Sequence, residues 1–174
     1  MSDKLDSYVY GDTDPRVTKA VPSLVTVSIG DLVFAADDSS GIGDEAGGNV
    51  VVGSPIPADQ TPWQSTLAGT QEWFHDRFLG VACQRSRSGD VDPVRVATKG
   101  RFRFTCESAT FKVGDLVGPA QAGATQALSP QKVVAVATPN LAIGRIGKDY
   151  PSAVTEVEVE VESTVVHGGP QAAA

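Results

Sequence analysis

The 174 residues predict an all-β fold, a small β-barrel or sandwich built from two related halves, with one short helix and an extended N-terminal arm. Three observations carry that expectation. The first is an internal repeat, in which Gly30-Asp31-Leu32-Val33 recurs as Gly114-Asp115-Leu116-Val117, 84 positions later. A second shared phrase follows each copy, Leu79-Gly80-Val81 and then Ile143-Gly144-Arg145-Ile146, with the glycines 64 apart. Each runs on into alternating valines, Val94-Arg95-Val96 or Val157-Glu158-Val159, so the first copy carries about 20 extra residues somewhere in residues 35 to 78. The second observation is composition: 18 Gly and 11 Pro against 41% hydrophobic residues suit many short strands better than long helices. The third is alternation, clearest where Val157, Val159 and Val161 take one face of a strand and Glu156, Glu158, Glu160 and Glu162 the other. One side of that strand is core and the other is strongly acidic.

Residues 1–22 are polar, with Tyr8, Tyr10, Asp12 and Asp14 before Pro15, and are expected to form an extended arm. A fully stretched arm of this length reaches ~70 Å, far enough to cross a neighbouring subunit; a disordered terminus is the alternative. The β-rich domain is expected over residues 23–166. It opens with strand, tight turn, strand across Leu24, Val25, Val27, Ile29, Gly30-Asp31 and Leu32-Val33-Phe34. Residues 37–69 then read as a long surface loop, with a short strand at Val50-Val51-Val52. Thr70 to Phe78 reads as the one short helix, with Trp73, Phe74, Arg77 and Phe78 spaced to touch the sheet. Strands are expected at 79–83, 94–97, 101–106, 111–117, 132–137, 141–146 and 154–166, separated by turns such as Ser88-Gly89-Asp90, Lys99-Gly100 and Pro139-Asn140. Residues 167–174 are expected to be a flexible tail. A chain of this length fits one domain, or two fused halves sharing a core.

Charge and chemistry narrow the function. A net charge of -7 and no basic stripe argue against nucleic acid, since phosphate binding needs clustered Lys and Arg. Arg85, Arg87, Arg95, Lys99, Arg101 and Arg103 read instead as a solvated face or a contact to an acidic neighbour. The N-terminus lacks the basic start and apolar core of a secretion signal, and no stretch approaches the roughly 20 apolar residues of a membrane span. Synthesis in a cytoplasm is expected, with Cys83 and Cys106, on neighbouring strands, as buried thiols and not a disulfide.

No catalytic vocabulary stands out. His75 and His167 have no partner histidine at ligand spacing and the cysteines form no C-x-x-C pair, so neither zinc nor another metal is expected. No nucleophile elbow accompanies the histidines, so His75 reads as a helix-surface or half-buried residue. Gly41-Ile42-Gly43-Asp44-Glu45-Ala46 matches the letters of a dinucleotide fingerprint but is followed by Gly47-Gly48 and valines where a helix must open. Asp37, Asp38, Asp44 and Glu45 lack the alternating spacing of a calcium loop. Trp73 is expected to anchor its helix, while Trp63, between Pro62 and Gln64, is the better exposed contact for a partner or ligand.

The ordered phrases GDLVF, FLGVACQRSRSGDVDPVRVATKGRFRF, VGDLVG, LAIGRIG and TEVEVEVES resemble the capsid decoration, or cement, proteins of tailed bacteriophages, over residues 24 to 166. The resemblance implies a non-enzymatic, cofactor-free protein of the virion, on the capsid exterior. There it would bind the major capsid protein and stabilise contacts between capsomers. A homo-oligomer is expected, with a trimer preferred, and the sequence equally accommodates a dimer or a monomer that trimerises on binding. Tyr8, Tyr10, Arg16 and Trp63 are the candidate partner-binding residues, because aromatics and arginine dominate interfaces. A carbohydrate-binding or other surface-adhesion module of a virion is the alternative, and a hydrolase with an unrecognised site a third.

Overall fold

The structure, a computed structural model, describes residues 8–10, 15–36 and 53–170. It is an all-β fold of two sheets. In chain order the elements are β1 (Tyr8–Tyr10), β2 (Pro15–Ala20), β3 (Leu32–Ala35), β4 (Pro55–Pro57), α1 (Leu67–Arg77), β5 (Phe78–Ala82) and β6 (Pro93–Ala97). Then follow β7 (Lys99–Phe111), β8 (Leu116–Gln121), β9 (Leu128–Ala135), β10 (Gly144–Ile146), β11 (Tyr150–Glu162) and α2 (Thr164–His167). The first sheet runs β2-β6-β5-β3-β4 and the second β1-β7-β11-β10-β8-β9. Leaving β1 aside, the two orders are the same, with β2 to β6 matched in turn by β7 to β11.

The sequence repeat is therefore a structural one, down to register. Val33 opposes Gly80 as Val117 opposes Gly144. Ala82 opposes Val96 as Ile146 opposes Val159. The repeated glycines have a steric reason. A Cβ on Gly80 would lie 2.1 Å from the Ala97 carbonyl oxygen, and one on Gly144 would lie 2.2 Å from that of Glu160. Each sits where its strand crosses closely over the next, a place no larger residue can occupy.

The halves differ in closure. β9 pairs antiparallel with β8 and, through Thr105↔Lys132 and Cys106↔Val133, parallel with β7, which closes the second half into a five-stranded barrel. Its counterpart β4 has three residues, and two are prolines without an N–H to donate. Among the described residues it pairs with β3 alone, and the first half is a half-barrel. Both halves nevertheless share one core, in which Leu32, Phe34, Phe74 and Phe78 from the first belong to the same buried cluster as Phe104, Leu128, Ile143 and Ile146 from the second.

Helix α1 occupies the place held in the second half by a single 3-10 turn, Pro139–Leu141. Thr66 caps it, accepting the Gly69 N–H at 3.0 Å. Phe34 meets Trp73 edge-on with ring centroids 5.1 Å apart, and the Arg77 guanidinium covers the indole at 4.1 Å, so Trp73 anchors the helix as its spacing predicts. The extra chain of the first copy is divided between this helix and the connection from β3 to β4.

Several expectations are corrected in detail. The strands expected at 101–106 and 111–117 are replaced by one continuous β7 and a turn before β8. The helix begins three residues earlier than expected, inside the expected 37–69 loop, because Thr66 supplies the cap. The short strand of that loop lies at β4, while Val50-Val51-Val52 and the Gly41 to Ala46 phrase fall outside the described residues. Leu24 to Ile29 contributes only an isolated bridge, Val27 to Ser86. The last strand ends at Glu162, where the Ser163 hydroxyl accepts the Val166 N–H and Gly168, at φ 88°, closes a helical turn that overrides the β preference of Val165 and Val166. Gly169 and Pro170 are buried, so the expected tail is seated over those residues. The arm is extended where described, but β1 pairs with β7 and β2 with β6. The two cysteines are free as expected, although they lie near different sheets and Cys83 is exposed, Cys106 alone being buried.

Replacing Gly80 or Gly144 with alanine should cost roughly 1–3 kcal/mol, the usual penalty for forcing atoms into packed backbone. Alanine at Gly123, which has open space around it, should cost only the left-handed backbone penalty of about 1 kcal/mol. Urea unfolding of the three variants checks the ranking; equal losses would mean that the crossings are not tight.

Candidate interaction surface

The repeated turns are built from one local device. In the first, the Ser28 N–H donates to Asp31 Oδ2 at 2.8 Å, and in the second the Lys112 N–H donates to Asp115 Oδ2 at the same distance. The glycine before each aspartate is left-handed, with φ 90° at Gly30 and 89° at Gly114. The aspartate thus stiffens a turn that glycine permits, which explains why both residues recur together.

The surroundings of the two turns differ. Asp31 has 0% exposure, and Gln131 on β9 reaches across from the other half to donate to Asp31 Oδ1 at 2.8 Å. Burial pushes the Asp31 carboxyl up to about 6, against the lowering effect of the Ser28 and Gln131 bonds; Asp59 nearby raises it further. Asp59, in a 3-10 turn at Ala58–Gln60, is itself pushed up by burial, and its Oδ1 is buried without a hydrogen-bond partner. Asp115, by contrast, is exposed. Val113 at that turn is 61% exposed, where the corresponding Ile29 is half-buried.

Beside the second turn lies a groove of about 690 Å³, lined by Phe111, Tyr150 and Pro151 on its apolar side and by Lys112, Asp115 and Asp149 on its polar side. Asp149 ties its rim by accepting the Val113 N–H at 2.8 Å. Sequence reasoning singled out neither the groove nor Val113. The repeat was the available signal, since it marks two like turns whose surroundings can be compared.

The residues proposed from sequence fall on three elements. Tyr8 and Tyr10 are in β1, on the edge of the second sheet beside Phe102 and Arg101. Arg16 is in β2, opposite Val96 in the first sheet. Trp63 is 59% exposed just before α1, where Gln64 pins the chain by donating its N–H to Thr70 Oγ1 at 3.1 Å. The four positions are dispersed along the fold, apart from the two tyrosines of one short strand.

The histidines have structural partners. His75 is buried, with Nδ1 2.6 Å from the Ala142 carbonyl oxygen, which can only accept, so that nitrogen carries the proton. His167 Nε2 lies 3.1 Å from Thr98 Oγ1. Among the described residues no three His, Cys, Asp or Glu side chains gather as a metal site. The calcium candidates Asp37, Asp38, Asp44 and Glu45 lie outside the described residues.

The acidic face of the last strand is also resolved. Glu158, Glu160 and Glu162 of β11 stand opposite Arg103, Arg101 and Lys99 of β7. Arg101 pairs with Glu160, and the buried Glu158 takes Lys148 at 3.4 Å and Arg103 at 3.9 Å. For Lys99, Arg101 and Arg103 the expected acidic neighbour is this strand, and the face is a mixed-charge ladder, not a block of negative charge.

The class that emerges is an all-β protein of a closed five-stranded barrel fused to a half-barrel of the same topology. No protein-family model matches the chain, and no curated protein does.

A carboxyl raised to about 6 holds its proton more tightly in the folded chain than in the unfolded one. Its contribution is therefore most favourable at low pH and is lost as pH rises through about 6. Asp31→Asn removes that dependence. The difference in stability between variant and parent should shift in the variant's favour by about 2 kcal/mol between pH 4.5 and pH 7, measured by urea unfolding at both values. A difference that does not change with pH would place the Asp31 carboxyl in the ordinary range.

Proposed function

We propose that this chain is a head decoration protein of a tailed bacteriophage, binding the major capsid protein on the outside of the assembled shell and tying neighbouring capsomers together. The observation that carries the reading is that the phrases of the resemblance occupy equivalent stations in two fused copies of one barrel. The repeated turn, the glycine crossing and the following valine strand are all framework, which suits a protein that presents surface and does no chemistry. The virion exterior is the corresponding location. Assembly as a homo-oligomer, preferably a trimer at threefold positions, lets weak contacts add through avidity.

The carbohydrate-binding alternative keeps one observation in its favour, the exposed indole of Trp63. Trp73 adds nothing to it, because its ring packs against Phe34 and Arg77.

Quantitative mass spectrometry of purified virions tests the proposal. Abundance near that of the major capsid protein is the expected result; a few copies or none would move the assignment to a tail-associated or glycan-binding module. Heads stripped of the chain should lose thermal stability and regain it on adding the purified protein back.

A further inference from the structure

We propose that the contact between the first turn and β9 is a proton-operated clasp between the two halves, held most tightly while the buried carboxyls of Asp31 and Asp59 keep a proton and released locally once they lose it. The clasp is built from few atoms. Asp31 has 0% exposure and accepts at both oxygens, from the Ser28 N–H at Oδ2 and, across the junction, from the Gln131 amide at Oδ1, each at 2.8 Å. The same amide nitrogen lies 3.5 Å from the Ile29 carbonyl oxygen, so Gln131 is aimed at the turn as a whole. Asp59 sits on the 3-10 turn Ala58–Gln60, which packs on both β3 and β9, and its Oδ1 is buried with no hydrogen-bond partner.

The charges around this contact are one-sided. Both donors to Asp31 are neutral, and Lys132, the next residue of β9, pairs with Glu107. Among the described residues the one charged group that acts on Asp31 is Asp59, a like charge. Two neutral bonds beside a second carboxyl do not replace the water that a carboxylate loses on burial, so the closed junction favours the protonated form. The rise of Asp31 from 3.8 to about 6 has that sign, with burial its largest cause. Moving the turn away from β9 returns both carboxyls to water, where the proton is held less tightly. Rising pH therefore favours the open form.

The release is local because the two sides of the contact are held differently. β9 is fixed in the closed barrel by its ladders with β8 and β7, which do not involve the first turn. The turn is tied to β5 through the Gly30 and Ala82 N–H groups, and β9 reaches it through the Gln131 side chain. Elsewhere Gln71 and Ser163 bridge the halves without a carboxyl, and His75, the other titratable group that crosses, bonds the Ala142 carbonyl from α1. Those bonds keep the halves together while the clasp opens. The equivalent Asp115 is exposed and keeps its water in either state, which makes the second turn a control within the same chain. This assignment does not depend on the head-decoration reading.

Native-state amide hydrogen exchange of the full-length protein at pH 4.5 and pH 7, corrected for the intrinsic pH dependence of exchange, reads the clasp directly. The Asp31 N–H bonds the Ser28 carbonyl and the Ala82 N–H the Asp31 carbonyl; Asp115 and Ile146 make the same two bonds in the second half. Opening constants at Asp31 and Ala82 should rise about twentyfold between the two pH values, as a shift from 3.8 to about 6 requires. Those at Asp115 and Ile146 should stay level. Asp31→Asn should abolish the rise, Asp59→Asn should reduce it, and His75→Gln should leave it in place. The comparison of the two turns in the unsubstituted chain carries the test if a variant fails to fold. Level opening constants at Asp31 and Ala82, a rise shared equally by Asp115 and Ile146, or a rise that survives Asp31→Asn would overturn the proposal.

Discussion

The rest of the structure depends on a small set of side chains that cross from one half to the other to satisfy buried acceptors. Gln71 of α1 donates to the Pro119 carbonyl at 2.8 Å, His75 bonds the Ala142 carbonyl, and Gln131 of β9 reaches Asp31. Each acceptor would otherwise be buried with a missing partner, which costs about 1–3 kcal/mol. The apolar core alone could slide, because hydrophobic contact has no direction. These bonds do have direction, and they turn two similar barrels into one body with a single registration. The C-terminal turn adds to the set, since the Ser163 hydroxyl donates to the Phe78 carbonyl at 3.0 Å where α1 passes into β5.

Repeats and periodicity made the framework legible, for physical reasons that apply residue by residue. Gly80 and Gly144 announced themselves because a Cβ there collides with a carbonyl, and Asp31 and Asp115 because each bonds the N–H three residues earlier. The alternation of Val157, Val159 and Val161 correctly assigned their side to the interior. What stayed hidden were the features that arise between elements. Whether Asp31 would be buried depends on Gln131, a hundred residues away, and the partners of the β11 glutamates depend on the register with β7. The end of the last strand cannot be read from propensity either, since Val165 and Val166 favour a strand and yet lie in a helical turn that Ser163 and Gly168 cap. Of the surface features, the exposure of Trp63 was legible from its place next to Pro62 in the loop before the helix. Val113 looked like one more strand valine.

The halves share topology and differ in what they expose. The first half has a short β4, carries α1 and buries its turn against the second half. The second half has a closed barrel and an exposed Asp115 at its turn. A duplicated module can specialise in this way because the framework residues are common to both copies while the partners of each copy are not.

Closure of the second barrel also bears on the order in which the chain assembles. β7 and β11 are joined through β8, β9 and β10 with short connections, whereas β2 must wait for β6 across the whole of the β3–β4 connection and α1. Loop-closure entropy favours the shorter circuit. The second half can therefore act as the nucleus, with the Pro119 and Ala142 carbonyls and the Gln131 amide already in place as a template on which the first half condenses. On that hypothesis the open half-barrel, which has no ladder of its own to complete it, owes its shape to a neighbour that folded earlier, and substitutions in β8 to β10 would slow refolding while those in β4 would chiefly hasten unfolding.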